Sequence, residues 1–293
     1  PRDEVARAIN TEVKEGRGSP HGGVFLDIAS RKPADYIQRR LPSMYHQFKE
    51  LADVDITKEP MEVGPTCHYV MGGIRVDPDT QAATVPGLFA AGECAGGMHG
   101  ANRLGGNSLS DLLVFGLRAG RYAAEHAAGV GAQPAIDPGQ VAAAEREALA
   151  PFERSGGLNP YTVQQELQDC MQELVGIIRT EEELKQALEK IAVLKERAAT
   201  VGVEGHRQYN PGWHLAIDLR SLLTVSECVA LAALERRESR GGHTRDDYPK
   251  PDPELGQVKV VIRGKDGEVS VSKEPLDQMP DDLRELFEEK PRS

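Results

Sequence analysis

The chain has 293 residues, a net charge of -11 and an isoelectric point of about 5.3, with 39% hydrophobic and 28% charged residues. Length and composition describe a globular chain of about two domains with room for a sizeable core. The acidic balance argues against a nucleic-acid partner, which needs a basic face, and no apolar run approaches the roughly 18 residues of a membrane span.

The elements are expected in this order. Asp3 caps a first helix carrying Val5, Ile9 and Val13, stopped by Gly16 and Gly18. Val24–Ile28 reads as a short strand, followed by helical stretches at Tyr36–Leu41 and Tyr45–Leu51 with Pro42 between them. Thr66–Val76 reads as extended chain broken by Gly72-Gly73, and Thr84–Ala91 as a strand entered through Pro86-Gly87. A long helix over 107–128, capped by Asn107 or Ser108, carries Leu109, Leu112, Leu113 and Leu117 on one face. Gly116 and Gly120, four apart on that helix, suggest the close approach of another backbone. After a glycine-rich linker come amphipathic helices near 138–154, 160–178, 181–199 and 213–240, separated by short turns that favour an antiparallel bundle. Val258–Ile262 and Val269–Val271 flank Gly264-Lys265-Asp266-Gly267, the pattern of a hairpin, and Asp281–Glu289 suits a short acidic helix. Four regions result: 1–57 mixed, 58–132 glycine-rich, 133–245 helical, and a tail, 246–293.

Chemistry concentrates between residues 67 and 109. Gly87–Glu93 reads as a strand ending in a carboxylate, and ligands of doubly wound sheets bind at the carboxyl ends of strands. There Glu93 is suited to accept ribose hydroxyl protons; an ordinary surface acid is the plain alternative. Gly105-Gly106-Asn107-Ser108-Leu109 feeds a helix start, whose free N–H groups and partial positive charge suit an anion such as a phosphate or a reduced flavin. His68 and Arg103 stand among apolar and glycine neighbours, a pair suited to a carboxylate ligand, although a lone histidine more often packs. His99, four before Arg103, reads as a second ligand or, with more weight, as a packing residue. Neither GxxxxGK[ST] nor GxGxxG is present. The four cysteines (Cys67, Cys94, Cys170, Cys228) have no metal spacing and read as reduced thiols. Trp213 and Tyr209 beside Pro211-Gly212 read as packing residues.

Cys67-His68-Tyr69-Val70-Met71-Gly72-Gly73-Ile74, Pro86–Glu93, and His99–Leu109 (HGANRLGGNSL), in this order, resemble the flavoprotein subunit of succinate dehydrogenase and fumarate reductase. Pro1-Arg2-Asp3, Lys58-Glu59-Pro60 and the stretch 238–249 (ESRGGHTRDDYP) agree with it. The resemblance implies an α/β plus all-α fold: a remnant of a capping domain, a partial Rossmann-like FAD-binding domain, a helical bundle and a small tail. It implies FAD as cofactor, with Glu93 on its ribose, Ser108 and Leu109 at the flavin, and Cys94 close by. It implies succinate oxidised to fumarate, or the reverse, by hydride transfer between substrate and flavin, with Arg2 moving the proton and His68 and Arg103 holding the dicarboxylate. An iron–sulfur subunit, tied to a membrane anchor, is the implied partner, and the inner face of the cell membrane the implied location. His243 and Arg245 are candidates for the border of the active site or the electron-transfer face. The opening on Pro1, one residue before Arg2, with no targeting pattern, leads to the expectation of the latter half of a longer flavoprotein, unable to bind FAD well alone. L-aspartate oxidase, which shares the HGANR and NSL pieces, and a non-catalytic helical interaction module are the alternatives.

Overall fold

A computed structural model describes residues 2–132, 135–265 and 268–284, apart from the side chains of Arg2, Lys265 and Glu268. The chain forms two compact units, residues 1–133 and 134–293.

The first unit opens with α1 (Arg2–Lys14). Asp3 lies inside its first turn, not at the expected cap position, and pairs with Arg7 at 3.1 Å, one turn on. β1 (Val24–Leu26) is followed by α2 (Ala34–Arg40) and α3 (Pro42–Ala52). Pro42 is the first residue of α3, where its missing N–H has no partner to lose. β2 (Met61–Val63) pairs antiparallel with β1, Val24 opposite Val63. Ile37, Ile56 and Met61 form the small core beneath them, with Tyr45 and Phe48 against it.

β3 (Ile74–Arg75) pairs in parallel with β4 (Ala95–Gly96). The strand expected over Thr84–Ala91 is instead a turn. Ala83 N–H donates to the Leu88 carbonyl at 2.8 Å, Gly87 takes a φ of +83°, and only Phe89 bridges, to Ala82. Turn chemistry at Pro86-Gly87 outweighs the strand preference of Val85 and Phe89. Glu93 accordingly sits in a 3-10 turn, Gly92–Cys94. α4 (Asn107–Gly129) is preceded by Gly106, in the left-handed conformation at φ +85°; neither Asn107 nor Ser108 is the cap. Gly116 and Gly120 face open space among the described residues, so no backbone is seen against them, and Leu109, Leu113 and Leu117 are exposed.

The second unit is a helical bundle with a hairpin. α5 (Pro138–Glu153), α6 (Pro160–Leu174) and α8 (Pro211–Glu235) each start on proline after an Asp137, Asn159 or Asn210 side chain that accepts a first-turn N–H. α7 (Glu181–Ala198) starts on a full capping box between Thr180 and Glu183. Val163, Leu167 and Cys170 on α6, Leu184, Ile191 and Leu194 on α7, and Leu215, Leu219 and Leu223 on α8 follow helical spacing and form one buried core. Each fully buried aliphatic side chain contributes about 1.5–3 kcal/mol. Burial also pushes the Cys170 and Cys228 thiols up, away from the reactive thiolate. Trp213 packs on Phe152 and donates to the Ala148 carbonyl at 2.7 Å, whereas Tyr209, expected to pack, is 90% exposed. β5 (Val258–Lys265) and β6 (Glu268–Pro275) form the expected hairpin in longer strands; its Asp266-Gly267 turn is outside the described residues. Of the acidic helix, α9 (Asp281–Arg284) is described and 285–289 is not.

Candidate functional site

Three sequence segments meet in the first unit. The β3–β4 pairing joins the segment around residue 74 to that around residue 95. It needs Gly73, whose φ is +150° and whose added Cβ would overlap the Cys94 carbonyl. Val70 N–H donates to Glu93 Oε1 at 2.9 Å, tying the same two segments by a side chain. Gly92 lies against Leu112 of α4, so the turn bearing Glu93 is seated on that helix.

A polar cluster closes the junction. The Tyr69 hydroxyl is 3.1 Å from His99 Nε2 and 3.3 Å from Asp111 Oδ2, and His99 Nε2 is 3.3 Å from the same Asp111 oxygen. The Tyr69 and His99 rings meet edge to face at 5.3 Å. Asp111 is the buried residue of α4, and its other oxygen, Oδ1, is buried without a partner. Burial, then the Asp111 charge, holds the Tyr69 phenol above its ordinary pKa, so at neutral pH it is protonated and donates. The Arg103 guanidinium lies 4.7 Å from the centre of the Tyr69 ring, a cation–π distance. Its Nη1 donates to the Leu104 carbonyl at 3.1 Å and its buried Nε has no partner. Among the described residues no carboxylate pairs with it.

The expected site residues distribute around this cluster. His68, next in the chain to Tyr69, is exposed, with no hydrogen-bond partner among the described residues. Glu93 is exposed, one oxygen committed to Val70 and the other open. At the start of α4, Asn107 and Leu109 N–H groups are taken by the Leu104 and Gly106 carbonyls, both at 3.2 Å, and the Ser108 N–H is in neither bond. No side chain caps this end, and among the described residues a Cβ at Gly105 or Gly106 would meet nothing, so the helix start is open on that side. Cys94 is exposed and its thiol donates to the Ala91 carbonyl at 3.3 Å. Arg2 begins α1, but its side chain lies outside the described residues. Tyr69 and Asp111 are functional candidates that sequence reasoning did not single out. The signal for Asp111 was a lone acid among the leucines of an apolar helix.

Of the two residues expected to border the active site or the electron-transfer face, His243 is part-buried and Arg245 buried within the second unit. Arg245 is fully buried, forks onto both Asp247 oxygens at 2.8 and 2.7 Å, and donates to the Ala233 and Leu234 carbonyls. Glu238, also fully buried, accepts from Arg236, Arg240 and the Asp252 N–H.

A glycine-lined helix start with an acid in an adjoining turn is an arrangement open to an anionic nucleotide cofactor. Residues 1–109 match the FAD binding domain family, and residues 164–288 the fumarate reductase flavoprotein C-term family. A fumarate reductase (CoM/CoB) chain from Methanothermobacter marburgensis is 40% identical over 89% of this chain and 47% of its own length. The fumarate reductase flavoprotein subunit of Escherichia coli is 39% identical over 84% of this chain and 42% of its own. The solved Mycobacterium smegmatis Sdh1 in complex with UQ1 is 62% identical, superposing with a TM-score of 0.88 over 98% of this chain and 49% of that one. The chain belongs to the succinate dehydrogenase and fumarate reductase flavoprotein family. It spans about half the length of the relatives it matches.

Proposed function

We propose that the protein interconverts succinate and fumarate, with FAD as its redox cofactor. Bound FAD supplies a two-electron acceptor or donor beside the substrate carbons. The observation that carries this reading is Arg103: a part-buried guanidinium with no carboxylate partner among the described residues and an unpartnered Nε. A fixed, unpaired guanidinium is a ready site for a carboxylate, which it binds through two parallel hydrogen bonds. His68, exposed and adjacent to Tyr69, takes the second carboxylate. Two anchors on one dicarboxylate fix the central carbons, and such orientation supplies much of the rate. Arg2 moves the proton. Arginine is protonated at any ordinary pH, so it acts only within a relay that returns what it lends. Glu93 keeps one oxygen for the ribose hydroxyls, and the Ser108 N–H with the α4 dipole favours negative charge on the reduced flavin. We assign electron transfer onward to an iron–sulfur subunit and quinone, and a peripheral place on the inner face of the membrane through an anchor subunit. No helix among the described residues is long and apolar enough to cross a membrane.

The test uses the polypeptide as its gene encodes it, purified with its flavin. Succinate with an artificial electron acceptor should be oxidised, and Arg2→Lys should abolish nearly all turnover while malonate still perturbs the flavin spectrum. Unimpaired succinate oxidation by Arg2→Lys removes the role of Arg2, and turnover of L-aspartate in place of succinate overturns the reading.

A further inference from the structure

We propose that Tyr69 is a positioning residue: its ring carries the Arg103 guanidinium, and its hydroxyl is anchored by Asp111 of α4 and by His99. This rests on the reading that Arg103 holds a substrate carboxylate.

Arginine has many rotamers, and one without an ion-pair partner must be ordered when its ligand arrives. Here part of that ordering precedes the ligand. The ring face lies 4.7 Å under the guanidinium carbon, and Nη1 is tied to the Leu104 carbonyl. A ring that swung would order nothing, but Tyr69 is held at its far end. Its hydroxyl is within 3.3 Å of both His99 Nε2 and Asp111 Oδ2, and the His99 ring blocks it edge-on at 5.3 Å. Asp111 is a firm base for this, because its side chain is 2% exposed and sits on a 23-residue helix. The geometry also solves an electrostatic problem. An anionic carboxylate close to a substrate-binding arginine would ordinarily pair with it and compete with the substrate. Asp111 meets the hydroxyl end of the ring while Arg103 meets its face, and the two form no ion pair. The phenol thus transmits position from α4 and leaves the positive charge of Arg103 for the ligand.

The test is a double-mutant cycle on KM in the flavin-loaded protein. Tyr69→Leu should raise KM for succinate about tenfold, with kcat changed much less. Tyr69→Phe keeps the ring but loses its anchor, and should raise KM by an intermediate amount, less than Tyr69→Leu and clearly above wild type. In an Arg103→Lys background, where no guanidinium rests on the ring, Tyr69→Leu should change KM by less than about twofold. A Tyr69→Leu KM close to wild type overturns the proposal. So does an equal KM increase in both backgrounds, the mark of a general structural role. Should Tyr69→Leu lose its flavin, Tyr69→Phe carries the cycle, and additivity of its smaller KM effect with Arg103→Lys overturns the proposal. A wild-type protein that neither turns over nor binds dicarboxylates refutes the proposed function instead.

Discussion

His243 is held as a neutral imidazole, and removing that constraint should flatten the acid sensitivity of the helical unit. Its Nδ1 faces Arg179 Nη1 at 3.0 Å and its Nε2 lies 2.9 Å from the Arg236 carbonyl. A guanidinium only donates, so Nδ1 accepts and the Nε2–H donates to the carbonyl. Protonation would set a second N–H against Arg179. Burial is the largest cause holding the imidazole down at about 4 from 6.5; the Arg236 carbonyl pulls the other way, and the charges of Arg179, Arg245 and Arg236 add to the lowering. The folded value lies below the unfolded one, so the folded state binds fewer protons. The stability from neutral His243 is therefore complete above pH 6.5 and lost as pH falls towards 4. Linkage over this shift gives a loss of about 2 kcal/mol between pH 7 and pH 5, and about 1 kcal/mol after allowance for partial exposure. Asp247, Glu238, Glu166 and Glu181 are also held below their ordinary values, and their losses begin only as pH falls to the ordinary carboxylate values of 3.8 and 4.5, mostly below this window. Trp213, the single tryptophan, packs within this unit and reports its denaturant unfolding by fluorescence. Wild type should lose about 1–2 kcal/mol from pH 7 to pH 5, and His243→Gln, less stable at pH 7, should lose clearly less over the same interval. Equal losses in the two proteins would refute the reasoning.

Glu238→Ala strips the buried partner from Arg236 and Arg240, whose side chains are 20% and 35% exposed, and should cost about 3–5 kcal/mol in the same unfolding experiment. A cost below about 1 kcal/mol would place the stabilisation elsewhere. Gly73→Ala forces a Cβ into the Cys94 carbonyl at a φ of +150°, so the β3–β4 junction should open and the flavin-to-protein ratio of the purified protein should fall. An unchanged ratio would show that the junction does not hold the flavin site together.

The parts of the fold legible in the sequence are those set by neighbours a few residues apart. Thr180 and Glu183 satisfy each other's backbone donors, and Asp137, Asn159 and Asn210 each precede a proline that suits a first helical turn. The bundle and the tail hairpin follow from such local rules. They mislead where two local preferences compete. Val85 and Phe89 favour a strand, but Pro86-Gly87 closes a turn between them. Asn107 and Ser108 are good caps, but Gly106 reaches the left-handed conformation at no steric cost and takes the position.

The candidate site is legible to a different degree, because its contacts span the chain. Tyr69 reaches His99 across 30 positions and Asp111 across 42, separations at which spacing carries no information. What the sequence does carry is a cost. A carboxylate that the fold buries loses its water, and burial without partners is expensive. Asp111, the buried residue of α4, therefore draws on groups from elsewhere in the chain, Tyr69 and His99. The same demand applies to Glu238 and Arg245, both fully buried, and their partners Arg236, Arg240 and Asp247 lie within two residues of them. In the second unit the cost is met first by charges nearby in sequence, and completed by the Ala233 and Leu234 carbonyls and the Asp252 N–H. Around Asp111 it is met only by bringing distant segments together, and this ties Tyr69, and through its ring Arg103, to the helix whose start is proposed to receive the cofactor.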